Sequence, residues 1–423
     1  TIFIPETIKG EKVRVLIVKV LSSHGFGKVI EILEKSQARQ DVDCNTYKRC
    51  GGCNLRHVKY EETLKMKQNA VQSLVNKTLK NKLQIKETVG MENPLHYRNK
   101  AQYPIGINKQ GEPVIGVFAN RTHEVIPIDN CLIQNKKSEE IAKFIIEFIK
   151  EKNISIYDEK KGKGLVRHIV TKVGIKTGEI MCVIVINGHK IPNENELVEN
   201  LKTRYPEIKA IVKNINMKNT NVILGQENIN LYGNGYIEDI LGEYKFKISP
   251  LSFYQVNPVQ AEKLYNLGVS MAEITKNDVV FDLYCGIGTI SLFMSKFAKK
   301  VYGIEIVEEA VKMAKENAQN NNVSNTEFFA GDVEIVLDDL INNKGLKADV
   351  VMFDPPRKGL DKKSIDNILN IRPKKIVYIS CNPATLIRDL ADFENEYDIK
   401  TIIPVDMFPF TSHVECVATL QLK

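Results

Sequence analysis

The chain has 423 residues, 43% hydrophobic and 26% charged, a balance that fits a folded multi-domain protein and excludes disordered, collagen-like and small disulfide-stapled classes. Its net charge of +7 is unevenly placed: residues 1–240 hold 38 basic and 27 acidic residues, and Leu241 onward holds 21 and 25. A basic front and a mildly acidic back suit a division between gripping a polyanion and doing chemistry, although solvated Lys-rich faces would give the same count.

No apolar run approaches the ~18 residues of a membrane span, and no export signal is present. A cytoplasmic protein without a membrane partner is therefore expected. Its eight cysteines are expected to be thiols or ligands rather than disulfides. The chain starts at Thr1 inside TIFIPETIKGEKVRVLIVKV, already strand-like and without an initiator Met, so residues are expected ahead of it.

Residues 1–42 alternate apolar and polar around the turn SSHGFG, as short antiparallel strands of a small partial barrel. A turn-rich cysteine loop, DCNTYKRCGGCNLRH, leads into a helical run from Tyr60 to about Leu79. Residues 43–240 then mix strands (AQYPIGI, VIGVFA, RHIVTKVGI, EIMCVIVING, AIVKNINM) with an amphipathic helix, SEEIAKFIIEFIKEKN, in an α+β arrangement. Gly225 to Gly242 reads as loop and places a boundary near 240. Over 241–423, β-branched strands alternate with helices, the pattern of a doubly wound, mostly parallel Rossmann-like sheet. Such sheets bind ligands at the carboxyl ends of their strands.

Three motifs fall on those strand ends, and a fourth lies between MFPFTS and the last strand. DLYCGIGTISL (Asp282 to Leu292) turns through glycines into a helix, the next strand ends at Glu305, and the third at Gly331-Asp332. Backbone open at glycine and an acid for ribose hydroxyls suit a nucleoside cofactor. The third glycine of the dinucleotide fingerprint is absent, which favours S-adenosylmethionine over NAD; a structural tight turn with surface acids is the plainer alternative. Asp354-Pro355-Pro356-Arg357 closes a strand, with Arg where amine-directed methyltransferases carry an aromatic. Ser380-Cys381-Asn382-Pro383 places a thiol over the same crevice, a nucleophile for an electron-poor sp² carbon. A cysteine is otherwise most often core. His413-Val414-Glu415-Cys416 offers a glutamate in apolar surroundings as general base.

In the front, Cys44, Cys50 and Cys53 (C-x5-C-G-G-C), with Cys131 downstream, form a candidate metal site. Four thiolates suit either zinc or an iron–sulfur cluster, and the spacing matches neither common ferredoxin pattern.

Together with YRNKAQYP (Tyr97 to Pro104) and S-x-x-S-F-x-Q-V-N (Ser249 to Asn257), these motifs resemble the RNA uracil-5-methyltransferase family over nearly the whole chain. The resemblance implies an α/β protein: a partial N-terminal OB-like (TRAM) barrel over 1–42, a cysteine-cluster and RNA-binding α+β domain over 43–240, and a Rossmann-like methyltransferase domain over 241–423. It implies Cys381 as nucleophile and Glu415 as base. Gln255, Tyr284, Glu305, Asp354 and Asp332 would surround S-adenosylmethionine, and Cys44, Cys50, Cys53 and Cys131 would hold a 4Fe-4S cluster. The implied product is 5-methyluridine in RNA, 23S rRNA first and tRNA second, in a monomer with no DNA partner. Phe253 or Tyr254 is a candidate to stack on a splayed base, packing being the commoner fate of such aromatics. The competing expectations are a catalytically silent RNA-binding factor and an amine-directed methyltransferase.

Overall fold

The computed structural model describes residues 1–120 and 122–423. Strands β1 (Ile2–Phe3), β2 (Lys12–Val20) and β3 (Gly25–Glu34) form an open three-stranded sheet in the order β1-β3-β2 where the sequence suggested part of a barrel. Helix α1 (Tyr60–Thr78) follows the cysteine loop. Its stripe of Val71 and Val75, with Leu79, packs into the core of the C-terminal sheet rather than the central one.

The central unit runs β4 (Lys100–Ile107), β5 (Pro113–Phe118), β6 (Val125–Pro127), α2 (Lys136–Glu151), β7 (Val166–Val173), β8 (Ile180–Ile186), α3 (Glu194–Arg204), β9 (Ile208–Ile215) and β10 (Glu227–Tyr232). Its seven strands lie in the order β10-β9-β8-β7-β4-β5-β6. Only β8 and β9 pair in parallel, as the α3 crossover between them requires. Every residue of β8 is buried, which explains its unbroken apolar run. One face packs on α2 and α3 through Ile169, Ile184, Ile141, Ile145 and Leu201. The other, with Val170, Val183 and Val212, shares a core with the C-terminal unit.

The stretch expected as loop over 225–242 contains two strands, β10 and β11 (Ile237–Leu241), the latter paired with β12 (Tyr244–Ile248). Gly233 and Gly235, both at positive φ, do make the turn between them. What the composition hid is that asparagines are tolerated on an edge strand: β10 pairs only with β9, and Asn228 Oδ1 accepts from Asn214 Nδ2 at 2.8 Å.

The C-terminal unit begins with α4 (Pro258–Ala272), capped by the Asn257 side chain, which accepts from Gln260 N–H. It continues β13 (Val279–Leu283), α5 (Thr289–Ser295), β14 (Lys300–Glu305), α6 (Glu308–Asn320), β15 (Thr326–Ala330), α7 (Val333–Asp338), β16 (Val350–Phe353), α8 (Lys362–Ile371), β17 (Lys375–Ser380), α9 (Pro383–Phe393), β18 (Tyr397–Val405) and β19 (Glu415–Leu422). The order is β15-β14-β13-β16-β17-β19-β18, parallel through β17, with β19 inserted antiparallel between β17 and β18. The chain therefore reverses direction between β13 and β16, where a crevice opens at the carboxyl ends. No helix among the described residues is long and apolar enough to cross a membrane.

Candidate active site

The turn after β13 is built from left-handed backbone: Tyr284 has φ +64°, Gly286 +55° and Gly288 +81°. A Cβ on Gly286 would meet nothing within 4 Å, so this glycine serves the backbone and leaves open space above it. At Gly288 a Cβ would press to 3.1 Å from Ala314 Cβ and Phe328 Cζ. A cavity of about 1140 Å³ opens beside this turn, and Gln255, Tyr284, Glu305, Asp332 and Asp354 all line it. Glu305 Oε2 accepts from Gly286 N–H at 3.1 Å and Oε1 from Val307 N–H at 2.9 Å, fixing the carboxylate at the strand end. Asp332 caps α7 by accepting from Glu334 N–H at 2.9 Å. Asn99 Nδ2 donates to the Gln255 carbonyl at 3.0 Å, so the central sheet helps place this wall. Apolar Ile287, Ile306 and Val333 supply a slot for a flat ring between these polar groups. The lining thus fits a nucleoside carrying a cationic sulfonium: apolar walls, fixed carboxylates and open backbone.

A second group of side chains meets at the neighbouring strand ends. In the β17–β19 pair Ser380 lies opposite Cys416; extending that register by one residue sets Cys381 across from Glu415. Burial pushes Asp354, at the end of β16, up to about 7. Burial, with the Asp354 carboxylate behind it, pushes Glu415 up to about 8, against the pull of Arg357. The Cys381 thiol is raised by burial and then by Glu415 and Asp354, and Arg357 again opposes. The same guanidinium charge therefore acts on both groups. Its loop is held by Asn382 Nδ2 and Thr385 Oγ1, which donate to the Arg357 carbonyl at 3.1 and 3.4 Å. Asp389 on α9 anchors the loop's far end, accepting from Leu360 N–H at 2.9 Å and Tyr378 OH at 2.7 Å.

Two contributors gave no motif signal, and a third was read only as part of its motif. Tyr265, buried on α4, lines the cavity beside Gln255 and Thr289. Asp389 is a charge on the buried face of an amphipathic helix, a signal that could have been read. Arg357 stood out in sequence only as a missing aromatic. Of the two stacking candidates, Phe253 is 74% exposed on the cavity rim, whereas Tyr254 is buried with its hydroxyl donating to Asp239 Oδ2 at 3.2 Å.

The four front cysteines are half-buried. Burial and then Cys131, Cys50 and Cys44 push the Cys53 thiol up to about 12. Gly52 N–H donates to Cys50 Sγ at 3.3 Å. Mutually repelling thiolates with an N–H donor suit a cationic group. Among the described residues, however, no three His, Cys, Asp or Glu side chains close around a single metal ion.

The cysteine loop also touches the segment that delivers Glu415. Leu55 N–H donates to the Phe410 carbonyl at 2.9 Å, and Ser412 N–H donates to Asn54 Oδ1 at 2.8 Å. The Arg56 guanidinium lies 4.0 Å from the centre of the Phe410 ring. Deeper in, Asp406 accepts from Lys67 Nζ at 2.5 Å and Tyr60 OH at 2.8 Å, both on α1.

Residues 59–423 match the family model described as tRNA (uracil-5-)-methyltransferase. An uncharacterised RNA methyltransferase of Clostridium acetobutylicum is 48% identical over 425 residues, covering 100% of this chain and 92% of its own. One from Staphylococcus aureus is 44% identical over 423 residues, with 100% and 93% covered. A crystal structure of Pyrococcus abyssi tRNA (uracil-54, C5)-methyltransferase in complex with S-adenosyl-L-homocysteine superposes with a TM-score of 0.79 at 27% identity, over 99% of this chain and 95% of that one. On a family match that takes in every strand of both large sheets, and on relatives alike from end to end, the protein belongs to the RNA uracil-5-methyltransferase family and is an S-adenosylmethionine-dependent RNA methyltransferase.

Proposed function

We propose that this protein methylates C5 of a uridine in RNA, 23S rRNA in the first place, with Cys381 as nucleophile and Glu415 as base. The observation that supports the assignment is the β17–β19 register, which pairs Ser380 with Cys416 and, carried on by one residue, would bring Cys381 towards Glu415. Uracil C5 is a weak nucleophile. The Cys381 thiolate forms a bond to C6, the ring electrons move to an enolate, and C5 becomes reactive. The cofactor supplies a methyl group activated on a sulfonium. Glu415 then takes the C5 proton, and the enolate expels the Cys381 sulfur to restore the ring. The Arg357 charge favours the ionised forms of both the Cys381 thiol and the Glu415 carboxyl. Gln255, Tyr284, Glu305, Asp332 and Asp354 line the cofactor's cavity. Because uracil C5 and C6 are shielded in a stacked helix, the target is a flipped or unpaired uridine, and Phe253 on the rim is placed to stack against it.

Cys44, Cys50, Cys53 and Cys131 would hold a 4Fe-4S cluster, larger than the single ion they fail to enclose, in a structural role, since the reaction transfers no electrons. Residues 1–42 and 43–240 would grip RNA and 241–423 catalyse. The cysteine loop and N-terminal strands resemble the ribosomal members of the family, whereas tRNA is favoured by the family model's description and by the Pyrococcus enzyme's substrate. Labelled S-adenosylmethionine with unmodified transcripts of 23S rRNA and tRNA, followed by nucleoside analysis, decides. 5-Methyluridine in rRNA alone is expected. Label in tRNA alone would overturn the substrate, and no label in either would leave an RNA-binding factor.

A further inference from the structure

A second cavity, of about 800 Å³, lies in the central unit away from the cofactor site, lined by parts of β4, β5, β7 and the loops beside them. Its lining includes His168, which is only 4% exposed, and neither of its ring nitrogens has a hydrogen-bond partner among the described residues. Burial and then Arg167 push this imidazole down to about 4, so it is neutral at physiological pH and presents one donor and one acceptor. Two unmet hydrogen-bonding groups on one buried ring are costly, and such a group requires a reason.

The surroundings suggest one. Phe118 meets the His168 ring edge-on with centroids 6.2 Å apart. Arg167 stacks its guanidinium 4.4 Å from the centre of the Tyr157 ring, and its Nε is likewise without a partner. At the mouth Arg49 pairs with Glu124 and His123 hydrogen-bonds with Glu159, each at 2.7 Å, while Lys109 and Lys160 also line the cavity. A cavity with aromatic walls, donors and acceptors unmet among the described residues, and lysines at its mouth suits a heteroaromatic base carried on a phosphate backbone.

Position adds to this. His168 and Lys172 point to the same face of β7, four residues or ~13 Å apart at ~3.3 Å per residue. Lys172 Nζ donates to the carbonyls of Ser249 and Ser252, which border the cofactor cavity. Strand β7 thus runs from one cavity to the rim of the other.

Resting on the uridine-methylation proposal above, we infer that this second cavity takes another unstacked base of the same RNA, read by hydrogen bonds to His168 and stacking near Phe118. One strand would then fix the distance between the base that is read and the base that is methylated.

The test combines filter binding of unmodified 23S rRNA and tRNA transcripts with thermal melting of the RNA-free protein. His168→Leu should raise the melting temperature, because it removes unpaired buried nitrogens, yet weaken RNA binding about tenfold and leave S-adenosylmethionine affinity unchanged. Phe118→Leu, at a half-buried position, should weaken RNA binding at least threefold, and it decides the question if His168→Leu does not fold. RNA affinity within twofold of wild type in the folded variants overturns the inference. If wild type binds RNA but forms no 5-methyluridine, the catalytic proposal fails while the binding comparison still judges this one.

Discussion

Cys381 and Glu415 share surroundings that oppose ionisation of both, yet the proposed chemistry needs each without its proton. Activity should therefore rise with pH through about 8, where Glu415 titrates, as a pH profile of single-turnover methylation will show. The same group has a stability consequence of known sign. Glu415 holds its proton in the folded chain up to about 8 but loses it near 4.5 when unfolded. The native state therefore binds more protons between those values, and stability falls as pH rises. Thermal midpoints of wild type and Glu415→Gln should diverge accordingly, with wild type losing ground between pH 5 and 8. The two substitutions also fail differently. Cys381→Ala abolishes transfer. Glu415→Gln slows turnover by about 10²–10⁴ and leaves the sulfur–C6 bond uncleaved, so an RNA-linked protein band should persist on a denaturing gel. A Glu415→Gln variant that turns over normally without that band would remove Glu415 as the base. Individual chemical groups were legible in sequence because SCNP and HVE sit at strand ends. Their meeting was not, since it depends on the antiparallel register of β19, 34 residues farther along.

Among the elements, α1 is tied to the segment after β18 by a buried ion pair, Lys67 with Asp406, both almost wholly shielded from water. Removing one partner leaves an unpaired buried charge, so Asp406→Ala should cost about 3–5 kcal/mol in urea unfolding. The double variant Lys67→Met/Asp406→Leu should recover most of that loss. An isolated Asp406→Ala cost below about 1 kcal/mol would mean that the pair holds nothing. The apolar stripe of α1 predicted a helix correctly, but a stripe does not say which sheet it will cover. In β10, Asn228 and Asn230 masked an edge strand for a related reason: propensity speaks of the residue and not of the neighbour that will pair with it.

For the whole molecule, the excess of positive charge over residues 1–240 makes RNA affinity salt-dependent. Binding should weaken at least tenfold between about 50 and 200 mM salt, measured on the same transcripts; a flat response would remove phosphate gripping from the front. Strand alternation in the C-terminal part was readable because parallel strands buried on both faces are written as continuous apolar runs. The relation of that sheet to the central one was not, because an apolar run buried on both faces does not say that one face will share a core with the C-terminal unit.

The hydrogen bonds between Asn54 and Leu55 on one side and the Phe410–Ser412 segment on the other join two parts of the chain whose chemistries are unrelated. Cys53 precedes that pair of residues, and Glu415 follows that segment by three. A cluster held by the four thiols would therefore act as the foundation of the proton-abstracting arm without exchanging an electron. Stripping the iron under anaerobic chelation should lower kcat while S-adenosylmethionine still binds. By that route oxygen damage on one side of the protein would be felt as slow chemistry on the other, tying the RNA's methylation state to the cell's iron and oxygen supply.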